Sequence, residues 1–88
     1  MKVDFRKHFI ANLNAIKDKS LADEVEYLIT LIETAKSIDE IPGIKKLSGY
    51  HDYYRIRLED YRIGMKLSGD TAIFVCMYHR SIIYKLFP

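Results

Sequence analysis

Apolar residues recur at helical spacing in the first half of the chain and at every second position in much of the second. Lys2-Val3-Asp4-Phe5 alternates polar with apolar and predicts a short first strand. Over residues 7–17, Phe9, Ile10, Leu13 and Ile16 recur at helical spacing and predict a helix with one buried stripe. Leu21, Val25, Leu28, Ile29 and Ile32 repeat that period in a second helix. Ser20 is its expected cap, with Asp23 three residues on at a helix start that favours negative charge. Asp23, Glu24, Glu26 and Glu33 fall mostly off the apolar stripe and read as a solvated face.

Pro42, Gly43 and Gly49 break the helical pattern, so the segment from Lys36 to Gly49 is expected to be a loop. Beyond it the period becomes two. Tyr54, Ile56 and Leu58 point one way, and Tyr53, Arg55 and Arg57 the other. After a turn at Glu59-Asp60, Tyr61, Ile63, Met65 and Leu67 oppose Arg62, Gly64 and Lys66. Ser68-Gly69-Asp70 turns the chain again, and Thr71 to Tyr78 is apolar at nearly every residue, as in a strand covered on both faces. A final helical turn is expected within residues 80–86. The order strand, helix, helix and three-strand meander predicts an α+β two-layer sandwich. Two helices would cover one face of a mainly antiparallel sheet of about four strands, with the arginines on the other face.

Length and composition narrow the class. The 88 residues, 49% hydrophobic and 30% charged, suit one globular domain, 1–88, rather than a disordered chain. The single cysteine, Cys76, lies in the apolar run AIFVCMY and reads as a core thiol in a reducing compartment. The charged start MKVDFRKHF and the short apolar runs predict a soluble, cytoplasmic protein with no membrane association. Charge is uneven: residues 1–44 carry net −2 and residues 45–88 net +4, so the second half offers a basic patch to a polyanion.

No glycine-rich phosphate loop, His-x-x-x-His or Cys-x-x-Cys spacing, or Gly-x-Ser-x-Gly elbow occurs, so no cofactor and no metal is expected. What remains is a cationic and aromatic set: Lys45, Lys46, His51, Tyr53, Arg55, Arg57, Arg62, Lys66, His79, Arg80 and Tyr84. Arginines two apart on a strand share a face and can present guanidinium forks to neighbouring phosphates, while tyrosines offer surfaces for base stacking. The same alternation is also what the wet face of any antiparallel sheet shows.

The run KKLSGYHDYYRIRLEDYRIGMKLSGDTAIFVCMYHRSIIYK resembles the RelE/ParE superfamily of bacterial toxins from type II toxin-antitoxin pairs. The shared features are a K-L-x-G approach, a strand of the Y-[KR]-[IV]-[KR] kind, then Y-R-[IVL], and an apolar strand ending near H-R-x-x-[IV]-Y. The resemblance to the RelE branch implies a ribosome-dependent endoribonuclease that cuts mRNA through attack by a ribose 2′-hydroxyl, without a metal. It implies a cognate antitoxin as partner, in a heterotetramer, besides the ribosome and mRNA, in the bacterial cytoplasm. Carried onto this chain, it assigns His79, Tyr84, Arg62 and Arg80 to catalysis, and Arg55, Arg57, Lys45, Lys46 and Lys66 to the RNA phosphates. Family members often carry lysine where Arg55 and Arg57 stand. Arginine stays protonated, so proton transfer is expected to fall first to His79, then Tyr84, then His51. A ParE-like toxin that binds DNA gyrase, or an inactive homologue, is the alternative.

Overall fold

The change of hydrophobic rhythm marks the passage from helices to sheet. The computed structural model describes all 88 residues, in the order β1 (Lys2–Phe5), α1 (Lys7–Ala15), α2 (Lys19–Thr34), β2 (Ile44–Lys46), β3 (Tyr53–Leu58), β4 (Tyr61–Ser68), β5 (Thr71–His79) and α3 (Ile83–Leu86). The strands form one sheet in the order β1-β5-β4-β3-β2, antiparallel from β2 to β5, with β1 parallel to β5. The expected α+β two-layer sandwich is therefore present, with five strands rather than about four. The fifth is β2, three residues inside the segment expected to be a loop, and too short for any alternation to declare itself. Gly43, at φ +76, lets the chain swing in against β3, where its carbonyl accepts the Arg57 N–H at 3.0 Å.

Two helix boundaries also differ from expectation. The first helix stops at Ala15, although Ile16 still packs against the core. The second begins two residues early, because the Asp18 carboxylate, not Ser20, accepts the Leu21 N–H at 3.1 Å. Asp23 then lies in the helix proper, in an exposed pairing 3.8 Å from Lys19.

Phe9, Leu21, Val25, Leu28 and Ile32 pack on the sheet's inner face against Ile56, Ile63, Met65, Phe74 and Met77. Each of those five strand residues is at most 1% exposed. A bulge in β5 makes this set possible. Gly64 pairs with Cys76 and Met65 with Phe74, so Val75 is an extra residue and the facing reverses across it. Ala72 and Phe74 thus share the helix-covered face with Met77, whereas Cys76 and Tyr78 face the opposite way. Simple alternation would have put Phe74 and Cys76 together. β1 ends level with Phe74, and Asn12 of α1 then accepts the Met77 N–H at 3.0 Å, which satisfies the strand past the end of its partner.

The other face is not left wholly open. After β5 the chain folds back, and Ile83 and Phe87 pack with Cys76 in a second, smaller cluster. Gly64 makes the approach possible, since a Cβ there would lie 2.7 Å from the Phe87 ring and 2.8 Å from Cys76 Sγ. Burial pushes the Cys76 thiol up to about 11, which fits a packing role. No helix is long and apolar enough to cross a membrane.

Candidate nucleic-acid interface

Strand alternation and register place the basic residues. Directly paired residues share a face, so Lys45, Arg55 and Gly64 form one row across β2, β3 and β4, and Arg57, Arg62 and Tyr78 the next. Lys45, Arg55, Arg57 and Arg62 line an open cleft of about 350 Å³ together with Gly43, Ile44 and Tyr84. Tyr84 comes from α3, and its ring lies 4.6 Å from the Arg55 guanidinium carbon. Arg62 is held from behind: its Nη1 donates to the carbonyls of Glu59 and Tyr61, both at 2.8 Å.

Arg57 and Arg62 stand directly opposite each other, an arrangement of like charges that costs stability. Partial burial and the charges of Arg55, Arg57 and Arg80 push the Arg62 guanidinium below its ordinary value, while Tyr84 acts in the other direction. The cleft is therefore a concentrated positive field with a phenol at its rim, suited to an anion with several oxygens. No group of three His, Cys, Asp or Glu side chains is placed to hold a metal ion.

Several residues chosen from the sequence lie elsewhere. His79 pairs with Tyr61 and stacks edge-on against it at 5.7 Å, so it shares the helix-covered face with Ile63 and Met77 and turns away from Arg62. Its Nδ1 is engaged by the Ser81 hydroxyl at 2.8 Å and accepts the Ser81 N–H at 3.1 Å. His79, expected first for proton transfer, therefore lies off the arginine cleft. Lys46 pairs with Tyr54 and likewise faces away from the arginines. Together with His51 it lines a separate shallow hollow at the Leu47–Tyr50 turn. Arg80 is exposed just past β5, near enough for its charge to act on Arg62. Lys66 pairs with Tyr53 on the cleft's face, but on the far side of the α3 segment. No sequence pattern announced the wall formed by Gly43 and Ile44, since both lie where a loop was expected.

A five-stranded mixed sheet thus carries α1 and α2 on one face, and a cationic cleft beside α3 on the other. The chain is 39% identical over 89 residues to toxin RelE3 of Methanocaldococcus jannaschii, with the full length of both covered. The chain belongs to the RelE toxin family. No family model matches it. Among solved structures it is similar to the RelB-RelE antitoxin-toxin complex from Methanococcus jannaschii, with TM-score 0.82 and 36% identity, covering 97% of this chain and 99% of that one. YafQ from Escherichia coli shares the fold at TM-score 0.74 and 16% identity, covering 94% and 97%. The relative that shows the family comes from Methanocaldococcus jannaschii, an archaeon, so family membership does not itself imply the bacterial source that was expected.

Proposed function

We propose that the protein is the toxin of a type II toxin-antitoxin pair, and that it inhibits translation by cutting mRNA on the ribosome. The convergence of Arg55, Arg57, Arg62 and Lys45 with Tyr84 in one cleft carries this reading. Attack of a 2′-hydroxyl on the adjacent phosphate builds charge on the phosphoryl oxygens, and prepositioned guanidinium groups stabilise that charge without reorganising. Arg62, anchored by two carbonyls, is the most fixed of these donors. Arg55 and Arg57 hold the flanking backbone, and the charge of Arg80 reinforces the field.

The nucleophile must also lose a proton and the 5′-oxygen must gain one. Arginine can do neither at neutral pH, whereas phenol and ammonium groups can. Among the cleft's side chains only Tyr84 and Lys45 qualify, so proton transfer is assigned to Tyr84 first and Lys45 second. Membership of the RelE family and the similarity to a RelB-RelE complex support a cognate antitoxin that covers this basic cleft.

Cleavage of mRNA on programmed ribosomes tests the proposal. The parent should fragment the message and leave DNA supercoiling by gyrase unchanged. Tyr84→Phe should lower the rate about 10²-fold or more, as loss of a positioned proton-transfer group does. His79→Ala should cleave within about threefold of the parent, because His79 lies off the cleft. Intact message with inhibited supercoiling would replace the proposal by a gyrase-directed one, and a Tyr84→Phe variant at full rate would remove the proton-transfer role.

A further inference from the structure

The α3 segment divides the outer face of the sheet, and the larger hollow lies on the side away from the arginine cleft. It has a volume of about 570 Å³, within the range of pockets that hold a nucleotide-sized ligand. Tyr53, Tyr78, Leu86 and Phe87 contribute apolar and aromatic wall, while Arg6 and Lys66 add two cations. None of the lining side chains is a carboxylate. The bulge at Val75 shapes this hollow by turning Cys76 and Tyr78 toward it, and the Tyr78 hydroxyl is hydrogen-bonded to Nε2 of His8.

The hollow and the cleft belong to one track. Tyr53, Arg55 and Arg57 succeed one another on the same face of β3, about 7 Å apart. Lys66 pairs with Tyr53 just as Arg62 pairs with Arg57, and its Nζ lies 5.6 Å from the Tyr53 ring centre. Cations thus continue from one hollow to the other along neighbouring strands. Aromatic walls beside cations, with acceptor and donor groups at the Tyr78–His8 pair, match an unstacked base and its flanking phosphate.

We infer that this hollow is a second subsite on the RNA path, which takes one splayed base against Tyr78 and Phe87 and its phosphate on Lys66 or Arg6. The subsite rests on the nuclease reading above and fixes the substrate as an extended single strand that spans both sides of α3.

A 2′-O-methylated hexaribonucleotide, which lacks the attacking hydroxyl, separates binding from cleavage. Amide resonances of the full chain should shift on titration at Tyr53, Lys66, Val75 and Tyr78 as well as at Arg55–Arg62. By fluorescence anisotropy, Lys66→Gln should lower the slope of log affinity against log salt by about 0.7, the share of one single-strand phosphate contact. Tyr78→Leu, checked by denaturation for an intact fold, should bind about fivefold or more weakly. Shifts confined to the arginine cleft, with both variants binding like the parent, would overturn the subsite even while ribosomal cleavage stands. Pocket shifts produced by an acidic Glu- and Leu-rich peptide but not by the oligonucleotide would overturn it in favour of a protein anchor. Failure of the parent to cleave mRNA on ribosomes bears on the nuclease reading instead, and is read in a separate assay.

Discussion

The two faces of the sheet are built from the same strands under opposite rules. On the helix-covered face, Ile56, Ile63, Met65, Phe74 and Met77 are fully enclosed and each contact favours folding. On the other, Arg57 faces Arg62, Arg55 neighbours Lys45, and Tyr84 covers Arg55 while itself 71% exposed. Clustered like charge is unfavourable in the free protein and becomes favourable only when an anion arrives. The difference separates what makes the molecule fold from what makes it bind, strand by strand and side chain by side chain.

Substitutions should respect that division. Phe74→Ala removes a ring in contact distance of Phe5 and Phe9, with centroids at 5.3 and 5.2 Å. It should cost about 3–5 kcal/mol in chemical denaturation, a large part of a small domain's stability. Arg57→Ala should do the reverse. Stability should stay within about 0.5 kcal/mol of the parent, because Arg57 is exposed and its loss relieves Arg62. Cleavage on ribosomes should nonetheless fall about 10²-fold or more. A stable Arg57→Ala protein at parental activity would break the contrast at its most informative point.

Gly64 lies where the two rules meet. In Gly64→Ala the new methyl would press on Phe87 and Cys76 Sγ, so the C-terminal cover must move while the helix-covered face is untouched. The expected cost is about 1–3 kcal/mol. Because Tyr84 sits on that cover, activity should fall with it. If stability drops and cleavage does not, the position of α3 matters less to the cleft than its geometry suggests.

How far the sequence disclosed all this depends on the face. The inner face was readable because Leu21, Val25, Leu28 and Ile32, and later Ile56, Ile63 and Met65, repeat with the period of their element. β5 resisted, since an apolar run on both faces hides a bulge, and the bulge decides where Cys76 and Tyr78 point. β2 escaped because three residues carry no period. The facing of Arg55, Arg57 and Arg62 followed from alternation, while their expected role, like that of Tyr84, came from family resemblance. That His79 and Lys46 face away from the arginines could not be read, because chemical suitability carries no register, and the register alone determines which face each takes. The influence of Glu24 on Glu59 was wholly hidden, because the two lie on different elements and Glu24 looked like part of a solvated stripe.

That acidic pair offers the smallest and most specific test, since it joins the helix side to the turn that holds Arg62. Glu59 sits in the turn at φ +54, and its carbonyl is one of the two that grip the guanidinium. Its carboxyl is held above its ordinary value of 4.5 chiefly by the neighbouring Glu24 carboxyl, then by slight desolvation and the charges of Asp18 and Asp60. A folded-state value above the unfolded one means that the folded protein binds this proton more tightly. The contribution is fully present below the ordinary value and is lost as pH rises through the raised one. Glu59→Gln keeps a hydrogen-bonding group and removes the charge. Thermal unfolding from about pH 4 to about pH 8 should therefore give parent and variant nearly the same Tm at the acid end, with the variant gaining a small advantage as pH rises. Parallel curves across that range would show that Glu24 and Glu59 do not share a proton, and would leave the Arg62 turn independent of the helix that packs against it.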